Sequence, residues 1–110
     1  MSAHVDGGTV LDRILQARRL EVDHRKRVLP EAALRYGVNA ATPLRDFPSA
    51  LTRASLNIIA ELKPASPSKG ILRDPFEPVE LGRSLEVAGA AVLSVLTEGE
   101  FFRGSLKNLR

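Results

Sequence analysis

A carboxylate and an ammonium stand two residues apart in the stretch Asn57-Ile58-Ile59-Ala60-Glu61-Leu62-Lys63-Pro64-Ala65-Ser66-Pro67-Ser68-Lys69-Gly70. Alternating side chains on a strand would put Ile59, Glu61 and Lys63 on one face and Ile58, Ala60 and Leu62 on the other. An ammonium held beside a carboxylate can bind an anion and oppose negative charge as it develops. The segment that follows is dense in Ser, Pro, Lys and Gly, so the charged pair closes a strand and faces a loop. In open α/β sheets and α/β barrels, ligands bind at that end of the strands. A Glu-x-Lys pair on a strand also has a plainer reading, a surface ion pair contributing about 0–1 kcal/mol.

The pair needs elements to position it. Residues 1–8 read as a frayed terminus, and the isolated His4 within them is no metal-site signal. Thr9 is placed to cap a helix, with Asp12 three residues on as a variant capping box. Val10, Leu11, Ile14, Leu15, Ala17 and Val22 recur at helical spacing, which predicts an amphipathic helix from about Thr9 to Val28, ended before Pro30. Residues 30–36 suit a further helical turn, with Pro30 at its first position and Gly37 just past its end. Residues 44–51 read as a short helical or turn element that brings Phe47 and Leu51 inward.

A strand is expected over about 56–63, then a loop to about Pro75, because Pro64 and Pro67 exclude helix and keep the residues before them extended. Pro78 suits the first position of a helix running to Ala88, capped by Glu77 or Asp74. That helix would carry Val79, Leu81, Leu85 and Ala88 inward, and Gly89 fits its C-terminal stop. Residues 90–96 form a second apolar run, suited to a parallel strand buried on both faces. Ser105 then caps a new helix from Leu106. The order is a helical prelude, then β-α-β, then the start of a helix. Such a unit is a right-handed crossover with a parallel pair.

Composition narrows the function classes. The 110 residues allow one domain at most. The absence of cysteine excludes disulfides, thiolate metal sites and Cys nucleophiles. No apolar run approaches a membrane span and no signal-peptide core is visible, so a cytoplasmic protein with no membrane partner is the expectation. The net charge of +3 lies in residues 1–56, with a local cluster at His24-Arg25-Lys26-Arg27. Nucleic acid is one reading of a basic cluster over residues 13–27. A solvated face near a helix C-terminus, where the macrodipole favours cations, is the other, and it is preferred because no aromatic residues are interleaved.

Residues 59–70 resemble the signature of the indole-3-glycerol phosphate synthase family, in which the first barrel strand ends in Glu-x-Lys before a Ser-Pro-Ser loop. Asp74-Pro75-Phe76-Glu77-Pro78 is similar to the entry to the family's first barrel helix, and Ala88 to Glu98 to its second strand. Phe101-Phe102-Arg103-Gly104-Ser105-Leu106 resembles the loop that opens its second helix, and the Thr9–Arg27 helix is similar to the family's extra N-terminal helix. Pro64 departs from the pattern, standing where many members have a basic residue, which would weaken local anion attraction.

The resemblance implies an α/β fold: a partial (β/α)8 TIM barrel, two of eight strands, with an N-terminal helical extension over 1–55 and the first βαβ portion over 56–110. It implies a carbon–carbon lyase of tryptophan biosynthesis that closes the indole ring by loss of CO₂ and water from a carboxyphenylamino-deoxyribulose 5-phosphate. No cofactor and no metal are implied, and the partner is a phosphorylated anionic small molecule. Lys63 and Glu61 are then the catalytic pair, the lysine holding substrate and the glutamate orienting it. Ser66 and Phe102 join Lys63 as substrate-binding residues, a donor to anionic oxygens and a wall for an aromatic ring. Ser66 also suits a plain turn, and Phe102 plain core packing. The family's general-acid lysine, general-base glutamate and glycine-rich phosphate loops belong to later strands, so the 110-residue chain is expected to be inactive alone. A non-catalytic anion-binding or interaction piece, self-associating through strand edges, is the alternative.

Overall fold

The computed structural model describes residues 8–110, so the expectations for His4 and the residues around it lie outside the described residues. The chain divides into two compact units, one ending at Leu44 and the other running from Arg45 to Arg110.

The first unit holds helices α1 (Val10–Val28) and α2 (Glu31–Val38). The capping box at Thr9 is complete. The Asp12 amide donates to Thr9 Oγ1 at 3.2 Å, and Asp12 Oδ2 accepts from the Thr9 amide at 2.8 Å. The Thr9 hydroxyl also donates to Asp12 Oδ2 at 2.8 Å, and this bond first, then that from the Thr9 amide, holds the Asp12 carboxyl below the usual carboxylate range. Further along, Glu21 pairs with both Arg18 and Arg25, so two of the basic residues of this helix are engaged by a carboxylate on their own face. Pro30 is the N-cap of α2 rather than its first residue, and Gly37 lies inside the helix rather than beyond it. The Glu31–Arg35 pair, four residues apart with contacts of 2.9 and 2.6 Å, supports the first turns of α2, and the helix runs one residue beyond Gly37.

The second unit opens on the one-turn helix α3 (Phe47–Ala50). Asp46 caps it, accepting from the amide and hydroxyl of Ser49 at 3.2 and 2.6 Å. The chain reaches the first strand through a turn tied by Asn57, whose side-chain amide donates to the carbonyls of Leu51 and Ala54. Strand β1 (Ile59–Leu62) pairs in parallel with β4 (Val92–Val95), with Ile59 opposite Val92, Ala60 opposite Leu93, Glu61 opposite Ser94 and Leu62 opposite Val95. The ladder runs on at both ends through Ala91 N–H to Ile58 C=O (2.9 Å) and Leu96 N–H to Leu62 C=O (3.1 Å).

Between them lies α4 (Pro78–Val87), with Pro78 in its first turn. It stops where expected, in a Schellman closure: Ala90 N–H donates to Leu85 C=O and Gly89 N–H to Glu86 C=O, both at 3.0 Å. Gly89 takes φ +104°, a conformation costly for any side chain. The inward residues differ from the expected set. Val79 and Ala88 are exposed, Leu81 and Leu85 are half-buried, and the buried residue is Gly82. A Cβ there would sit 3.3 Å from Leu93 Cδ1, so the missing side chain lets the helix settle on the strands.

Three further expectations are corrected. The segment after β1 is no open loop. Ala65–Ser66 (β2) and Gly70–Ile71 (β3) form an antiparallel hairpin around Pro67-Ser68-Lys69. Proline blocks helix but suits a turn, and Gly70 at φ +67° supplies the left-handed residue that a three-residue hairpin loop needs. The strands are not buried on both faces. Ile58 and Ile59, which alternate to opposite faces, are 58% and 52% exposed, so α4, packed on β1 on the Leu62 side, leaves both faces open at the start of the strand. The final element, Leu106–Leu109, is a 3₁₀ turn capped by Ser105 rather than an α-helix. Leu62, Pro64 and Ala65 are buried, so the core sits where β1 passes into the hairpin. Among the described residues no helix is long and apolar enough to cross a membrane.

Candidate functional site

Alternation along β1 puts Glu61 on the face away from α4, and Lys63 follows as the strand ends. Lys63 Nζ lies 3.4 Å from Glu61 Oε1, both side chains part-exposed. The second carboxylate oxygen, Oε2, accepts from the hydroxyl of Ser94 at 3.2 Å. Ser94 stands opposite Glu61 in the parallel register, so the ladder itself delivers this hydroxyl. Glu61 is therefore held from two sides, by a cation along its own strand and a hydroxyl across the pair. The sequence reading missed Ser94. Its one available signal was its position as the polar residue within an apolar strand.

Ser66 is in β2, within the hairpin that follows Lys63. Its Oγ accepts from the Lys69 amide at 3.2 Å, which closes the Pro67–Lys69 turn. The turn reading of this serine is thus realised, and a hydroxyl accepting one bond retains a proton to donate. Pro64 is buried, and its carbonyl accepts from the amides of Leu72 and Arg73 at 2.8 and 3.3 Å. The proline thus anchors the base of the hairpin.

Phe102 is half-buried in the loop that leaves β4. The bond from the Leu96 amide to the Leu62 carbonyl puts the ends of β1 and β4 side by side, so that loop rises from the same end of the sheet as Lys63. Glu98 organises it. Its Oε1 accepts from the Glu100 amide (2.8 Å), and its Oε2 from the amides of Phe101 (2.8 Å) and Phe102 (3.0 Å). Its backbone carbonyl accepts from the Gly104 amide at 2.7 Å. Arg103, between them, takes φ +52°, in the left-handed region. Gly104 lies so close to the end of β4 that a Cβ would fall 2.0 Å from the Leu96 carbonyl oxygen.

A groove of about 650 Å³ lies on the other face of the pair, among Phe47, Leu62, Gly82, Leu93, Val95 and Leu109. It includes none of Glu61, Lys63, Ser66 and Phe102. Charged side chains, Arg45, Arg53, Arg83 and Glu86, line that groove beside the apolar ones, whereas the charged pair, the hairpin turn and the Phe102 loop share the strand ends.

Residues 11–110 match the family described as indole-3-glycerol phosphate synthase. The chain is 45% identical over 102 residues to an indole-3-glycerol phosphate synthase of Roseiflexus sp. (strain RS-1), covering 92% of this chain and 38% of that protein. It is 46% identical over 101 residues to that of Rhodococcus opacus (strain B4), with the same coverage of each. Against the chloroplastic enzyme of Arabidopsis thaliana it is 42% identical over 105 residues, covering 91% of this chain and 26% of the plant protein. The chain thus spans roughly two fifths or less of the length of these relatives. With the match running through α1, the Glu61–Lys63 strand end and the Phe102 loop, the chain belongs to the indole-3-glycerol phosphate synthase family.

Proposed function

We propose that residues 56–110 form the first βαβ corner of a TIM-barrel lyase of tryptophan biosynthesis, preceded by a helical extension over 1–55. In this reading the substrate is 1-(2-carboxyphenylamino)-1-deoxyribulose 5-phosphate, an anion through its carboxylate and its phosphate. Lys63 holds that anion and opposes charge that develops as the ring closes with loss of CO₂ and water. Glu61, kept in place by Ser94, orients the ammonium. Ser66 donates its hydroxyl proton to an anionic oxygen, and Phe102 provides a wall for the aromatic ring. The general acid and general base of the family are assigned to strands outside these 110 residues, so this portion binds rather than turns over. The observation that carries the reading is the Glu61–Lys63 pair at the C-terminal end of a parallel strand, 3.4 Å apart, beside the hairpin of Ser66.

The test is binding of inorganic phosphate and of 2-aminobenzoate to the 110-residue chain, with fluorescence to detect indole-glycerol phosphate formed from the full substrate. Lys63→Met should weaken phosphate binding roughly tenfold or more, the scale of a hydrogen bond to a charged group. No ring closure is expected from this chain alone. Unchanged phosphate affinity in Lys63→Met overturns the assignment, and product formation by the purified chain overturns the division of labour. A chain that binds anions and docks with other polypeptides but closes no ring when joined to a barrel's remaining strands is instead the non-catalytic module.

A further inference from the structure

We infer that Glu98 is a positioning residue, which sets the place of Phe102 by gathering the backbone of the loop that carries it. The inference rests on the reading of Phe102 as a substrate wall, and it concerns a residue that reading leaves without a role. A carboxylate in a loop rich in Gly and charge is ordinarily solvated. Here the two oxygens of Glu98 accept from three amides in succession, those of Glu100, Phe101 and Phe102, at 2.8, 2.8 and 3.0 Å. Three convergent N–H groups on one carboxylate are charge-assisted bonds, stronger than bonds between neutral partners. They fix the path by which the chain enters Phe102.

Two further contacts close the loop behind it. The Glu98 carbonyl takes the Gly104 amide at 2.7 Å, and Gly104 packs against the carbonyl of Leu96 with no room for a Cβ. The loop is therefore pinned at both ends to the terminus of β4, and its middle is pinned to the Glu98 side chain. Arg103 at φ +52° is the residue that absorbs the bend. An L side chain is disfavoured in that conformation, and the carboxylate bonds lie on one side of it and the Gly104 bond to the Glu98 carbonyl on the other. Phe102 is held half-buried, immediately before the bent residue, at the strand end it shares with Lys63. A flexible loop would present the ring in many places, whereas a wall for a planar substrate needs one.

The experiment compares the 110-residue chain with Glu98→Gln by amide hydrogen exchange and by titration with 2-aminobenzoate and with inorganic phosphate. Exchange at Phe101 and Phe102 should quicken roughly tenfold or more on loss of the charged acceptor. Exchange at Leu62 and Leu96, on the β1–β4 ladder, should hold. Affinity for 2-aminobenzoate should fall several-fold and its effect on the Phe102 ring resonances should shrink, while phosphate affinity stays as it was. Unchanged exchange at Phe101 and Phe102 overturns the inference. So does an equal loss along β1 and β4, which would make Glu98 merely structural. If Glu98→Gln does not fold, Glu98→Asp, which keeps the charge but shortens the reach by one methylene, is read against the same two outcomes. If the parent chain binds neither probe, the substrate reading falls, and the exchange comparison still decides whether Glu98 holds the loop.

Discussion

At Gly104 a single missing side chain decides whether a loop can meet its strand. The clash a Cβ would make, 2.0 Å from a backbone oxygen, cannot be relieved by a rotamer change, since the obstructing atom is the carbonyl oxygen of Leu96, just past the end of β4. Gly104→Ala should therefore destabilise the second unit by about 3 kcal/mol or more, the upper range of overpacking, measured as a lowered urea midpoint. A wild-type midpoint in that variant would show the loop to sit elsewhere. Ser94 illustrates the opposite kind of residue. Its hydroxyl does little for the strand but is one of two groups that hold Glu61. Glu61, Lys63 and Ser66 were legible as candidates because their motif is contiguous, and Phe102 only through the resemblance of residues 101–106 to the family's loop. Ser94 and Glu98 were not. The first acts across a register that sequence does not display, and the second acts on backbone amides, which every residue carries.

At the scale of elements, Gly82 sets how closely α4 approaches β1 and β4. Adding one methyl places it 3.3 Å from the flexible end of Leu93, while alanine is the better helix former by about 1 kcal/mol. The two effects are opposed and similar in size, so Gly82→Ala should lie within about 1 kcal/mol of the parent. Gly82→Val has a larger branch to place and loses most of the propensity gain, and should cost about 1–3 kcal/mol. Paired denaturation curves check both, and a Gly82→Val variant as stable as the parent would refute the close approach.

The caps respond to acid. Asp12 is held below the ordinary carboxylate range by Thr9, Glu21 first by its hydrogen bond to Arg18, and Asp46 by Ser49. A lowered folded value means that each contribution is whole above the unfolded value and lost as pH falls through the folded one. Helix content should hold from neutrality to about pH 5 and decline below about pH 4, followed by circular dichroism. Thr9→Ala should shrink that acid-dependent part, and an identical profile in the variant would sink the assignment to this cap. The termini of α1 and α4 were legible because caps, prolines and Gly89 act within a few residues. The hairpin was not, because Pro64 and Pro67 speak against helix without saying whether loop or turn replaces it.

For the molecule as a whole, the distribution of apolar surface matters more than its amount. Ile58, Ile59 and Leu93 are exposed along a two-stranded parallel sheet. Such strands ordinarily pair and pack on both sides, and the relatives this chain matches are longer by more than half their length. As a separate polypeptide the 110-residue chain should self-associate, its sedimentation coefficient rising with concentration. Ile59→Lys should suppress that rise. A monomer at every concentration would count against the exposed sheet as a sticky edge.

The pairing of β1 with β4 also bears on the order in which the second unit assembles. Glu61 and Ser94 meet across 33 residues of chain, and closing a loop of that length costs about 3 kcal/mol of entropy before any ladder bond rewards it. The helix between them faces no such debt, since its proline start and glycine stop are local. Once α4 forms, it shortens the span that must be searched, and Gly82 gives the arriving strand a flat place to land. The Glu61–Lys63–Ser94 cluster is thus complete only when the crossover has closed. The bond from the Ser94 hydroxyl to Glu61, unlike the local Glu61–Lys63 pair, therefore reports that the crossover is in place.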